Sequence, residues 1–292
     1  MPAPPSADVG ELLSRCDFPS PGSAVTCAVS GGADSMAMMV LAHAHGLRVS
    51  VVHVDHGLRD GSANDAHVVR AAAGPLGIEV DVRSVSVEPG SNLEARAREA
   101  RYAVLPPDVL VGHTADDQAE TVLINLMRGA GPRGLAAMRR GTARPILGLR
   151  RRETRALCES LGIAVVDDET NDDPRFQRNR VRHELLPLLR SISLRDPVPI
   201  IARSADVARD DDDYLEELAS IIDPTDATAL ASAPPPLARR AIRRWLSDPY
   251  PPDLATIERV LSVARGEARA CDIGGNREIR RSKQRMALRR VE

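Results

Sequence analysis

The sequence predicts an α/β protein in two parts. A parallel sheet covered by helices occupies residues 1–196, and a small, mainly helical domain ending in a β-hairpin occupies 197–292. Three observations carry this reading. Strand-like and helix-like segments alternate through the first half, which is the pattern of βαβ units. The apolar run 24–29 leads into Ser30-Gly31-Gly32-Ala33-Asp34-Ser35 and a helix-like stretch 36–45, so a buried strand feeds a glycine turn that opens a helix. The last third changes character, with a linker-like Asp196-Pro197-Val198-Pro199, helical stretches, and Gly274-Gly275 between short alternating segments.

In order, 49–53 reads as a β-branched strand, 64–73 as a helix, 78–85 as a strand, 93–105 as a helix and 109–112 as a strand. The 116–128 helix has apolar Ala119, Val122, Leu123, Leu126 and Met127, and closes on Arg128 and Gly129, a cationic last turn with a glycine cap. Residues 131–148 read as loop with one short strand at 145–147, followed by a helix at 153–161 and a last strand at 164–166. A long helix over 200–222 comes next. Pro234, Pro235 and Pro236 precede a helix over 237–246 that holds the only tryptophan, Trp245, and 253–265 is a further helix. Ligands of parallel sheets bind beyond the carboxyl ends of the strands, and 30–35, 54–58 and 113–117 all lie at such ends.

Composition narrows the class. The 292 residues carry a formal net charge of −2, which argues against a general nucleic-acid coat. Basic stretches at 139–155, 175–182 and 277–290 still suit one RNA, while 206–217 is acidic and reads as a solvated helix face. Four scattered cysteines without C-x-x-C disfavour a disulfide framework or zinc ribbon and fit a reducing cytoplasm. No stretch has the roughly 20 apolar residues of a membrane span.

Ser30 to Ser35 would present main-chain N–H groups and a helix N-terminus to an anion. The G-x-x-x-x-G-K-[ST] pattern is absent, and the only lysine, Lys283, lies far from this loop. Asp34 beside a phosphate makes sense as a Mg²⁺ ligand. His53-Val54-Asp55-His56 reads as a strand end shaping a nucleotide pocket through Asp55 and His56, the His53 and His56 spacing being too loose for zinc. In His113-Thr114-Ala115-Asp116-Asp117-Gln118-Ala119-Glu120-Thr121, Thr114 and Asp117 form a capping box. Asp117, Glu120 and Thr121 also share a helix face aimed at the crevice of Asp34. Residues 92–102 form an amphipathic helix with pairs such as Glu94 and Arg98. Arg178, Asn179, Arg180 and Arg182 suit phosphate and base contacts, or a plain basic loop. Arg277, Arg280, Arg281, Lys283, Arg285, Arg289 and Arg290 alternate along the predicted hairpin.

Together these residues carry a resemblance. SGGADS resembles the PP-loop of the N-type ATP pyrophosphatases, which split ATP between its α- and β-phosphates. The blocks SGGADS, HVDHGLR, NLEARAREARY, HTADDQAETVLINLMRGAGPRGLAAM, RPIL and RFQRNRVRHELLPLL, in that order, are similar to the tRNA(Ile)-lysidine synthetase family. Residues 167–171 depart slightly from the family's Asp-x-[ST]-Asn run. The C-terminal part resembles the family weakly, and the resemblance leads to the expectation that the further domain of longer members is missing.

The resemblance implies a Rossmann-like PP-loop ATPase domain and a small C-terminal tRNA-binding domain. It implies use of ATP and Mg²⁺ to join free L-lysine to C2 of the wobble cytidine of a CAU-anticodon isoleucine tRNA, through an adenylated tRNA, with release of AMP and pyrophosphate. Nucleotide would bind at Ser30, Gly31, Gly32, Ala33, Asp34, Ser35, Asp55 and His56, with Asp34 on the metal. Catalysis would fall to Asp34, Asp117, His113 and Arg101, with Asp117 orienting the amine and accepting its proton. Arg98, Asp116, Glu120, Arg178, Asn179, Arg180 and Arg182 would contact substrate or tRNA. A cytoplasmic enzyme follows, and a homodimer is an allowed assembly. The nearest alternatives are an RNA thiolase, disfavoured by the missing cysteine pair, and an RNA-binding protein without catalysis, disfavoured by the acids Asp34, Asp116 and Asp117.

Overall fold

The structure, a computed structural model, describes residues 8–55, 57, 62–85, 93–167 and 173–290, and of 62, 63, 93–95, 97 and 98 only the backbone. His56, the Arg98 side chain and most of the 167–171 segment therefore lie outside the described residues. The chain forms two compact units, Met1–Asp206 and Val207–Glu292.

In the first unit, β1 (Ala24–Ala28), β2 (Arg48–Asp55), β3 (Glu79–Ser84) and β4 (Leu110–Val111) form a parallel sheet in the order β3-β2-β1-β4. Cys27 of β1 pairs with Val51 of β2 on one side and Leu110 of β4 on the other. The helices are α1 (Val9–Leu13), α2 (Ala33–Ala44), α3 (Ser62–Ala73), α4 (Leu93–Val104), α5 (Ala115–Met127), α6 (Pro132–Leu135), α7 (Arg151–Ser160), α8 (Gln177–Arg180), α9 (Leu186–Ser193) and α10 (Pro197–Ser220). Every residue of α2 from Ser35 to Ala42 is buried, because α2 packs against both the sheet and α7. Met36, Met38, Met39, Leu41, Cys27, Val51 and Leu157 share this core. A fully buried side chain of that size contributes ~1.5–3 kcal/mol, so the helix that follows the glycine turn is anchored along its length.

Two expected strands are absent from the described residues. The 145–147 stretch is a series of turns, with Ile146 fully buried and Leu147 4% exposed. Pro145 and Gly148 interrupt the run, and a Cβ at Gly148 would lie 2.6 Å from Arg15 O. The segment instead lends carbonyls to neighbours: Asp17 N–H donates to Pro145 O at 2.8 Å and Ala115 N–H to Leu149 O at 2.8 Å. The 164–166 stretch has no ladder, and Val166 N–H donates to Gly31 O at 3.0 Å. The linker-like 196–199 is the start of a helix. Asp196 Oδ1 accepts from Val198 N–H at 3.2 Å, and Pro197 occupies the first position of α10, where a missing N–H costs nothing.

Between α8 and α9 the helix widens, and Leu186 N–H bonds Val181 O five residues back. Pro187 has no N–H for the regular ladder, and a widened turn accommodates that. Arg178 and Arg182 lie on either side of the change in pitch.

The two units divide inside α10. The second contains α11 (Ala227–Ser232), α12 (Pro235–Trp245) and α13 (Leu254–Arg265), then β5 (Ala270–Asp272), β6 (Arg277–Ser282) and β7 (Arg285–Arg290) in one antiparallel sheet. The expected hairpin is thus extended to three strands. Gly274 and Gly275 turn β5 into β6 at φ +83° and +64°. The core joins Leu230, Ile242, Ile257, Leu261, Ile279 and Met286. The acidic run is not wholly a solvated face: Asp212 is 4% exposed and accepts from Arg240 Nη1 at 2.6 Å. Among the described residues no helix is long and apolar enough to cross a membrane.

Candidate active site

The glycine turn leaves the first-turn amides of α2 without a side-chain cap. Gly31 sits at φ +93°, and a Cβ there would lie 2.8 Å from Val166 Cγ2. Ser30 N–H donates to Ser35 Oγ at 3.1 Å, the two hydroxyls meet at 3.2 Å, and Ser35 Oγ donates to Gly32 O at 2.9 Å. The serines therefore close the turn on itself. Gly32 caps α2 with no side-chain hydrogen bond, so the first-turn N–H groups and the positive end of the dipole face outward for an anion. Gly112, at the end of β4, fits against this start. A Cβ there would be 2.9 Å from Ser35 Cα and 3.0 Å from Asp34 O.

Asp34, from the first turn of α2, meets two acids from α5 through one side chain. Arg151 donates from Nε to Asp34 Oδ2 at 3.3 Å, from Nη2 to Asp117 Oδ1 at 2.8 Å and from Nη1 to Glu120 Oε1 at 3.0 Å. Thr154 Oγ1 donates to the other Asp34 oxygen. The Glu120 side chain is fully buried. It also accepts from Arg178 Nε at 2.7 Å and Arg182 Nε at 2.8 Å. Asp117 Oδ2 completes the predicted capping box, accepting from Thr114 N–H at 2.8 Å and Thr114 Oγ1 at 2.9 Å.

Environment divides these carboxyls. Burial, and then the charge of Asp117, push Asp34 up to about 6, against the opposing pull of Arg151. Burial also works on Asp117, but Arg151, Arg178 and His113 outweigh it and hold this carboxyl below its usual range. Such a group is an anchor for a cation and a weak acceptor for its proton. Asp116 faces elsewhere. Its oxygens accept from Arg150 Nε at 2.9 Å, Arg150 Nη2 at 3.1 Å and Arg151 N–H at 2.9 Å. Burial raises it, yet these bonds bring it below the ordinary carboxylate value. Arg150 Nη1 also donates to Asp196, which ties the first turn of α5 to the start of α10.

The remaining predicted residues scatter more. Asp55 is half-buried at the end of β2 and accepts from Gly57 N–H at 2.9 Å. His53 is buried with Nδ1 bonded to Val29 O at 2.8 Å, which supports a satisfied strand end. His113 lies between β4 and α5, and its charge acts on Asp117. The Arg101 guanidinium stands 5.4 Å from the Tyr102 ring centroid on α4. Asn179 is buried and donates to Asp173 O at 2.9 Å. Arg180 is exposed and pairs with Glu184 at 2.8 Å.

Four partners went unread in the sequence. Arg150 and Arg151 lay within a basic stretch, and Thr154 and Gly112 carried no local signal. The long fourth block has a structural basis as well. Gln118 Nε2 donates to Met138 O and Met138 N–H donates to Gln118 Oε1, both at 3.0 Å, while Asn125 Nδ2 donates to Gly134 O at 2.8 Å. These bonds clamp the loop after α5 onto that helix.

Among the described residues no three His, Cys, Asp or Glu side chains form a metal-binding group. Mg²⁺ needs only one or two carboxylates when phosphate oxygens supply further ligands. A desolvated Asp34 beside a second carboxylate, in a turn whose first-turn amides suit an anion, fits that requirement.

Comparison with known proteins finds relatives of both units. Residues 7–189 match the PP-loop domain family, and residues 226–286 match the TilS substrate binding domain. A tRNA(Ile)-lysidine synthase of Nocardia farcinica is 40% identical over 299 residues, covering 94% of each chain. One of Thermobifida fusca is 40% identical over 291 residues, covering 90% of each. A structure of the U34-tRNA thiolase NcsA from Methanococcus maripaludis superposes with a TM-score of 0.53 at 16% identity, over 68% of this chain and 76% of that one. At that identity the likeness concerns the fold.

Proposed function

Because the chain belongs to the tRNA(Ile)-lysidine synthase family, we propose that it joins free L-lysine to C2 of the wobble cytidine of CAU-anticodon tRNA(Ile), releasing AMP and pyrophosphate. The observation that carries this reading is the bridge from the anion-binding turn to the acids of α5: one guanidinium contacts Asp34, Asp117 and Glu120. This bridge supports a nucleotide site and a cation site lying side by side.

The chemistry assigns each side a task. The cytidine leaves its stack to reach the crevice. Its C2 oxygen attacks the α-phosphorus of ATP, and pyrophosphate departs. The first-turn amides of α2 stabilise the charge that builds on the departing group. Mg²⁺, held through Asp34, would neutralise part of the same charge when bound. The lysine side-chain nitrogen then attacks C2, and AMP leaves with the former C2 oxygen. Deprotonating that ammonium, with a pKa near 10.4, costs about 4–5 kcal/mol at pH 7. Asp117 and Glu120 position it by charge. With Asp117 held below its usual range, its role is to orient the amine, with His113 beside it.

Arg178 and Arg182 face Glu120 and so line the amine side. Arg180 is exposed to RNA. In the second unit, the register of β6 and β7 sets Arg280, Arg285 and Arg289 on the sheet face opposite Ile279 and Met286, where they suit phosphate contacts. This reading assigns catalysis to 1–196 and tRNA binding to 197–292, in a cytoplasmic enzyme whose cysteines are free thiols.

The test is incubation with CAU-anticodon isoleucine tRNA, ATP and labelled lysine, followed by nucleoside analysis. Label in the modified nucleoside, dependent on ATP, is expected. Pyrophosphate release without incorporated label would overturn the reading.

A further inference from the structure

Arg151 makes a set of bonds that neither binding the nucleotide nor orienting the amine by itself requires. Each of its nitrogens is given to a different acid: Nε to Asp34, Nη2 to Asp117 and Nη1 to Glu120. Its backbone is fixed as well, since its N–H donates to Asp116 and it is the first residue of α7, where Arg150 N–H is capped by Glu153 at 2.7 Å. The three acids depend on it unequally. Glu120 keeps Arg178 and Arg182, and Asp117 keeps Thr114 and Arg178. Asp34 has Arg151 as its ion-pair partner among the described residues, together with the uncharged Thr154. The bond to Asp34, at 3.3 Å, is also the longest of the three.

We propose that Arg151 is the resident cation of this cluster, a positioning residue that holds Asp34 toward the acids of α5 until a divalent cation arriving with nucleotide takes Asp34 from it. The exchange is local. Arg151 keeps its bonds to Asp117 and Glu120, so the amine-side acids stay in place while the Nε–H released from Asp34 remains beside the anion-binding turn. Two cations thus compete for one carboxylate. Divalent-ion binding to Asp34 is thereby weaker than the isolated carboxylate would allow, and removing the competitor should strengthen it. A purely structural arginine gives the opposite result, because its loss loosens the site.

The inference rests on the proposed function only for the assignment of Asp34 to the metal. Its test contains neither lysine nor tRNA, so a failure in the nucleoside assay leaves it standing. Mn²⁺ is titrated into the full chain with α,β-methylene-ATP, and unbound Mn²⁺ is read by its electron paramagnetic resonance signal. Arg151→Gln is expected to bind Mn²⁺ about tenfold or more tighter than the parent chain. Arg151→Lys has one ammonium that cannot serve three acids, and should fall between them. Asp34→Asn should lose the high-affinity ion. Should Arg151→Gln fail to fold, Arg151→Lys decides alone. Equal or weaker Mn²⁺ binding by a folded Arg151 variant, or retention of the ion by Asp34→Asn, overturns the proposal.

Discussion

Arginine serves opposite purposes in the carboxylate cluster of the first unit and on the terminal sheet of the second. In the first, Arg150, Arg151, Arg178 and Arg182 turn inward onto carboxylates, with side chains no more than 30% exposed. In the second, Arg280 and Arg285 remain at least half exposed beside single acids, and Arg289 is exposed on the same sheet face. The inward group uses its charge to position acids. The outward group keeps its charge in water, which suits the phosphate-bearing partner proposed above. Residue type alone does not separate these uses; desolvation does, because a buried charge needs its counter-charge and an exposed one is served by water.

The sharpest way to break this contrast is Glu120→Gln. It leaves three arginines facing a neutral amide in a buried site, and a broken buried pair costs ~3–5 kcal/mol. Urea unfolding followed by circular dichroism should show that loss in the first unit. The fluorescence of Trp245, which belongs to the second unit, should shift less. An unchanged dichroism midpoint would mean the inward arginines are not a network.

Asp34→Asn comes next and separates stability from activity. The folded protein raises this carboxyl from 3.8 to about 6. The fold therefore favours the protonated form, and the resulting stabilisation, full below 3.8, is lost as pH rises through about 6. At pH 7.5, with a chelator present, the variant should be more stable by roughly 2–3 kcal/mol, and the gain should vanish by pH 4. Thermal unfolding at both pH values checks the sign. Lysine ligation should fall about 10²-fold or more.

Replacing Arg280, Arg285 and Arg289 together by Gln sharpens the outward half of the comparison. Weaker tRNA binding is expected, with the salt slope reduced by about 1 for each phosphate no longer neutralised. Filter binding at several salt concentrations measures it, and the unfolding midpoint should stay within about 0.5 kcal/mol of the parent. The smallest effect is expected from Arg180→Gln, which removes an exposed pair with Glu184. It should leave the unfolding midpoint where it was and lower tRNA affinity slightly. A large stability loss there would place Arg180 with its inward neighbours.

Much of the frame was legible along the chain. The 116–128 helix appears as Ala115–Met127 with its capping box in place, because periodicity and caps are local. The turn at 30–35 was legible because the glycines and the preceding apolar run are contiguous. The strands expected at 145–147 and 164–166 were not realised: the first is buried as turns whose neighbours take its carbonyls, and the second gives its Val166 N–H to Gly31 O instead of to a ladder. Asp196 looked like part of a linker, yet it caps α10 and receives Arg150.

The sequence by itself determined the glycine turn at 30–35, the acids on one face of α5 and the alternation that builds a parallel sheet. All of these depend on neighbours within a few residues. Only the tertiary structure decided that Arg151, distant in the chain from both Asp34 and Asp117, joins them, and that Arg178 and Arg182 point at Glu120 while Arg180 points at water. An arginine's long side chain permits either outcome. The choice falls to which carboxylates the fold has taken out of water within its reach.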